Sequence, residues 1–169
     1  MADVRVSHEF DCDEDTYWTR CFFDEEYNRR LFLDELRFPS WKVTRHEETP
    51  AAILRTVEMQ LLVENLPAAM QRLMGDRLGY VEEGTWDRAT RVYRYRITPT
   101  LMPEKTRIEG VFRVERLGDK KIRRTSETHV EVKVFGIGGM IEDRTIADTK
   151  RNFEATAQFT RRFLVEKGL

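Results

Sequence analysis

Four residues near the middle of the chain could do chemistry together. Arg55 breaks the apolar alternation of Ile53, Val57, Met59, Leu61 and Val63. Glu82 breaks a second inward set that carries Tyr80, Trp86, Tyr93, Tyr95 and Ile97. A guanidinium and a carboxylate at inward strand positions, flanked by two phenols, have three uses. They can form a buried ion pair, anchor the polar end of a ligand, or bind and protonate a substrate. Other chemistry finds less. His8, His46 and His129 are far apart in sequence, and no Ser or Cys stands in a nucleophile elbow. No His, Cys or carboxylate group has ligand spacing, so neither a metal nor a cofactor is expected. The stretch 11–15 resembles a calcium loop, but Thr16 replaces its Gly and Phe22 its bidentate Glu. It reads instead as an acidic helix start capped by Asp11 or Asp13. Gly136, Gly138 and Gly139 precede a helix without the Lys-Ser/Thr of a phosphate loop, and read as a bend.

These residues need a sheet to aim them. Alternation predicts strands over 4–10, 41–47, 52–63, 78–86, 91–98, 107–116 and 121–135. Helices are predicted over 15–22 and 25–36, the second capped by Asp24, and over 140–166. The hairpin at 87–90 is expected to pair Trp86 with Arg91, Gly84 with Tyr93, Glu82 with Tyr95 and Tyr80 with Ile97. In the last strand the inner set is Ile122, Arg124, Ser126, Thr128, Val130, Val132 and Val134. The last helix sends Asp143, Lys150, Arg151, Glu154, Arg161 and Arg162 to one side. Its other side holds Ile141, Ile146, Phe153, Phe159, Phe163 and Leu164, but also Thr145, Asp148, Thr149, Asn152 and Thr156. Buried polar groups need partners or water, so that seam predicts either a satisfied polar core or a cavity wall.

The expected fold is α+β: a curved antiparallel sheet of about seven strands around a long C-terminal helix, with two short helices after the first strand. Residues 1–169 are expected to form one domain. A ligand cavity between sheet and helix would be lined by Arg55, Val57, Met59, Glu82, Tyr93, Tyr95, Phe112, Thr128, Ile141, Thr145, Asp148 and Asn152. Met70 and Met74 join that set from the amphipathic segment 66–75. This segment reads either as a helix on the sheet edge or as a lid that makes transient membrane contact.

A net charge of −1, with 40% hydrophobic and 35% charged residues, gives no push toward nucleic acid. The acidic first twenty residues are unlike a signal peptide, and no apolar run approaches a bilayer span. A cytoplasmic protein is expected, with Cys12 and Cys21 reduced.

The element order is similar to the helix-grip fold of the START-like (SRPBCC) superfamily, over the whole chain. Residues 23–27 (Phe-Asp-Glu-Glu-Tyr), 79–84 (Gly-Tyr-Val-Glu-Glu-Gly), 105–110 (Lys-Thr-Arg-Ile-Glu-Gly) and 134–142 resemble an uncharacterised bacterial family within it. A weaker likeness is to PRELI-type phospholipid-transfer domains, through the 67–74 segment, Tyr80, Glu82, Asp87 and the Phe135-Gly136 pair before the last helix. The resemblance implies a cavity for a hydrophobic small molecule or lipid. The function expected is binding, and transport, of such a ligand. A polyketide cyclase or aromatase using the same cavity, and a co-chaperone-like interaction module, stay open as alternatives.

Overall fold

The computed structural model describes residues 1–61, 68, 72 and 78–169. Met70, Met74 and most of the 66–75 segment lie outside the described residues, as do Leu62 and Val63 at the expected end of the third strand.

The chain begins with β1 (Ala2–Phe10) and then two short helices. α1 (Glu14–Thr16) runs on as wider π-type turns over Tyr17–Phe22, and α2 (Glu25–Arg29) does so over Arg30–Glu35. Both starts are capped as their sequences predict. Asp13 accepts the Thr16 amide at 2.8 Å, and Asp24 accepts the Tyr27 amide at 2.8 Å. Six strands follow: β2 (Ser40–Glu48), β3 (Ala52–Gln60), β4 (Gly79–Asp87), β5 (Val92–Pro99), β6 (Thr106–Gly118) and β7 (Lys121–Val132). The chain then bends at Gly136, with φ of 79°, into α3 (Gly138–Lys167).

All seven strands form one antiparallel sheet in the order β1-β7-β6-β5-β4-β3-β2. The strands from β2 through β7 run as a meander, and β1 adds beside β7. The fold is the expected α+β helix grip. Two expectations need correction. The last strand stops at Val132 and not at 135, and Phe135 is fully exposed. The β4–β5 hairpin is also two residues out of the predicted register: Trp86 pairs with Tyr93, Gly84 with Tyr95, Glu82 with Ile97 and Tyr80 with Pro99. The cause is the turn. Asp87 closes a loop over 88–91 by accepting the Thr90 amide at 2.6 Å and the Arg91 amide at 2.8 Å, and Arg91 takes a positive φ of 54°. A slip of two keeps every side chain on its predicted face. It changes which residues meet.

The true register explains Gly84 and Gly110. The Tyr93 ring lies over Gly84 and reaches Glu82, donating to its carboxylate at 2.8 Å. The Tyr95 ring lies over Gly110, and its Oη shares a hydrogen bond with Thr128 Oγ1 at 2.7 Å. A Cβ on either glycine would collide with the phenol above it. The dense core lies at one end of the sheet. Phe10, Tyr17, Trp18, Tyr27, Trp86 and Tyr93 pack there with Phe159, Phe163 and Leu164 of α3.

Gly84→Ala and Gly110→Ala should each cost about 1–3 kcal/mol by forcing the overlying ring aside. Urea unfolding midpoints check this; unchanged midpoints would mean the rings do not need that space.

Candidate functional site

α3 divides into two unlike halves. From Ala157 to Leu164 its inner side is buried against the aromatic core. From Ile141 to Thr156 the inner positions are half-buried. Facing this first half is a pocket of about 310 Å³. Ile141, Thr145, Asp148 and Asn152 line it from the helix, at the three- and four-residue spacing of one helical face. From the sheet come Arg55, Val57 and Met59 of β3, Glu82 of β4, Tyr95 of β5, Phe112 of β6 and Thr128 of β7. Aliphatic residues such as Leu31, Leu36, Ile97 and Ile108 complete the walls. Tyr93 does not line the space, although sequence placed it there. It is wholly buried among Phe22, Phe23, Tyr95 and Phe112, because its ring runs along the sheet over Gly84. Met70 and Met74 fall outside the described residues.

Three polar side chains of the helical wall, Thr145, Thr156 and Asp148, are satisfied within the helix. Thr145 donates to the Ile141 carbonyl at 2.8 Å, and Thr156 to the Asn152 carbonyl at 2.7 Å. Asp148 accepts from Arg144 at 2.9 Å and from Arg151 at 2.8 Å. The wall therefore tolerates an apolar neighbour without leaving these groups stranded.

Arg55 and Glu82 do meet, loosely, at 3.7 Å, with side chains 8% and 13% exposed. Arg55 has a second task. Its Nη1 donates to the Phe22 carbonyl at 2.9 Å, and its guanidinium lies 4.6 Å from the Phe22 ring centre. The Asn28 amide donates to that same carbonyl at 2.9 Å and to the Asp24 carbonyl at 2.7 Å. Arg55 thus ties β3 to the junction of α1 and α2. Burial raises the Tyr93 hydroxyl far above the ordinary phenol value, and the Glu82 carboxylate beside it pushes the same way. Burial pushes Tyr95 up to about 12, so both phenols are neutral donors at physiological pH.

The sequence put Arg124 on the inner face of the last strand but not among the expected cavity residues; Arg124 of β7 is 2% exposed and also lines the space. Its guanidinium is flanked by the Phe10 and Phe153 rings at 5.2 and 5.4 Å. The signal was present, since Arg124 stands in the inward alternation between Ile122 and Ser126. Its neighbour His8 was likewise set aside for being distant in sequence. Pairing of β1 with β7 puts His8 directly opposite Arg124. His8 Nδ1 lies 3.1 Å from Arg124 Nη2, and His8 Nε2 lies 3.1 Å from a Glu154 carboxylate oxygen. Arginine can only donate, so Nδ1 is the acceptor and the Nε2 proton faces Glu154. Burial lowers the His8 pKa first, and the Arg124 charge lowers it further, against the pull of Glu154.

Cys12 and Cys21 are free and buried, and burial pushes their thiols up to about 11 and about 12. Neither suits a nucleophile's role. Among the described residues no helix is long and apolar enough to cross a membrane.

A family model described as "Protein of unknown function (DUF2505)" matches residues 5–164, and the chain belongs to that family. Three solved structures share the fold at low identity. One is a protein of Thermus thermophilus, 16% identical, with TM-score 0.70 over 99% of this chain and 100% of that one. Another is the Zhui aromatase/cyclase of a Streptomyces species, 13% identical, with TM-score 0.66 over 99% and 96%. The third is a START superfamily protein of Mycobacterium smegmatis, 12% identical, with TM-score 0.64 over 96% and 98%. No curated protein matches the sequence.

Two outcomes follow from the geometry. Arg55→Met should cost about 3 kcal/mol, because it strands Glu82 and loosens the Phe22 carbonyl. Adding Glu82→Leu should recover part of that loss, a coupling that denaturation of the single and double variants measures. The His8 sign is the opposite of a stabilised cation. Its folded pKa lies below the unfolded 6.5, so its contribution is complete above that value and is lost as pH falls. Wild-type stability should therefore drop between about pH 7 and pH 5 more than that of His8→Gln, which cannot titrate. Parallel curves for the two proteins would contradict the assignment.

Proposed function

We propose that this member of the family binds a hydrophobic small molecule of lipid type in the space between the sheet and the first half of α3. The observation that carries this reading is the space itself. It has about 310 Å³, aliphatic and aromatic walls, and polar groups at a few points. That combination is what a concave site for an apolar ligand requires. The helical half that borders it contributes Thr145, Thr156 and Asp148, whose side chains are already satisfied within the helix. Apolar contact there therefore carries little desolvation cost. The likeness to START-superfamily structures supports the same reading at the level of fold.

A second reading, cyclisation of a polyketide-like substrate, draws on one observation. Glu82 lines the space and is held by Tyr93, giving a carboxylate fixed in orientation at an apolar wall. The fold it shares with an aromatase/cyclase is consistent with this. Ligand binding is the better supported of the two, because Arg55 and Tyr93 engage the one acid-base candidate with structural partners.

Protein purified from cells should carry a hydrophobic molecule, seen as a mass excess under native mass spectrometry and recovered by organic extraction. Stripped protein should take up the neutral fluorescent probe N-phenyl-1-naphthylamine with stoichiometry of one. Protein that emerges without cargo and does not take up the probe would overturn the proposal.

A further inference from the structure

We infer that the end of the space nearest the aromatic core is an anion subsite built on Arg124, so that the ligand is an amphiphile with a carboxylate head. The inference rests on the reading that this space takes a hydrophobic molecule, and it specifies which end goes in first.

The argument begins with an unbalanced charge. A buried guanidinium is expensive unless it is paired and its donors are filled. Arg124 is 2% exposed, and among the described residues no carboxylate oxygen lies within 4.0 Å of it. Its central carbon lies over the Phe10 and Phe153 rings, which offer no lone-pair acceptor to its N–H groups. Nη2 is taken by His8. The Tyr17 phenol lies within hydrogen-bonding reach of the guanidinium, but burial raises its pKa and keeps it neutral, so it can fill a donor and supplies no charge. Nε is buried and has no hydrogen-bond partner among the described residues. Glu154, the carboxylate that His8 contacts, acts through the neutral His8 ring and is 57% exposed, where solvent weakens it. Arg55 has an unpartnered Nε as well, and differs in having Glu82 and the Phe22 carbonyl.

The wall beside Arg124 has the chemistry to complete such a site. Along the same inward face of β7, Ser126 is buried beside the Tyr95 phenol, behind the lining of the space. Two positions further, Thr128 shares its hydroxyl with the neutral phenol of Tyr95. A carboxylate oxygen placed here would accept charge-assisted bonds from Arg124 and a hydroxyl donor. Its chain would lie against Phe112, Phe153 and Ile141. A neutral headgroup would leave the guanidinium as it stands now.

Competition against bound N-phenyl-1-naphthylamine tests this with two ligands that differ only at the head, dodecanoate and dodecanol. Wild-type protein should be emptied by dodecanoate at a concentration at least about tenfold lower than by dodecanol. Arg124→Gln should erase that preference, the two ligands then displacing the probe at similar concentrations, and Arg124→Lys should retain most of it. Equal potency of the two ligands on wild-type protein overturns the subsite and leaves the hydrophobic site intact. So does a preference that survives in Arg124→Gln. Failure of the wild type to take up the neutral probe sinks the binding reading and the subsite together. The wild-type comparison stands even if the Gln variant does not fold.

Discussion

The packing of the last turns of α3 against the aromatic core is the contact on which the remaining structure depends. Phe159 and Phe163 meet the Tyr27 ring at 5.3 and 5.1 Å, and the Tyr27 hydroxyl meets Thr160 at 2.6 Å. Those contacts fix the helix at one end, across the sheet that it must cover. A rigid helix clamped at one end projects its other half over the sheet whether or not that half is filled with core side chains. The first half carries Thr145, Asp148, Asn152 and Thr156, which do not pack as Phe159 and Phe163 do, and a space remains beneath them. The space lies where the inner side of the helix turns from aromatic to polar, half-buried residues, between that filled end and the first turn that Glu142 ties to the Val132 amide.

The second constraint is the pair of buried cations. Both arginines lie at inward strand positions, yet their surroundings differ. Arg55 is absorbed into the architecture, joining β3 to the junction after α1 and sharing a loose contact with Glu82. Arg124 lies over the Phe10 and Phe153 rings and is tied to a histidine whose charged form the site disfavours. Rings supply some of the attraction that a carboxylate would, and the rest is left unfilled. Protonation of His8 would put two positive groups 3.1 Å apart, so the His8 tautomer is part of what keeps the cation in place.

Much of this was legible in the chain. Period-two alternation assigned the face of nearly every strand residue. The polar seam of the last helix separated the cavity-facing stripe from the charged outer side. The errors were of one kind. The β4–β5 register was read from the strands alone, while the turn set it through Asp87 and the positive φ of Arg91. Tyr93 was assigned to the cavity because it points inward. Inward facing does not say where a long ring will lie once a glycine opens room beside it. Arg124 and His8 were each visible on an inner face, but their adjacency required the pairing of the first strand with the last.

The sequence by itself determined the element order, the inward and outward faces, the helix caps and the presence of polar residues on buried surfaces. These are local properties, set by periodicity and by side chains bonding to backbone a few residues away. Tertiary structure alone decided which polar groups became partners and which were left against open space. That outcome depends on residues far apart in the chain, such as His8 with Arg124 and Tyr27 with Thr160. No local pattern carries their distance, because it is set by the closure of the sheet and by where one helix is clamped.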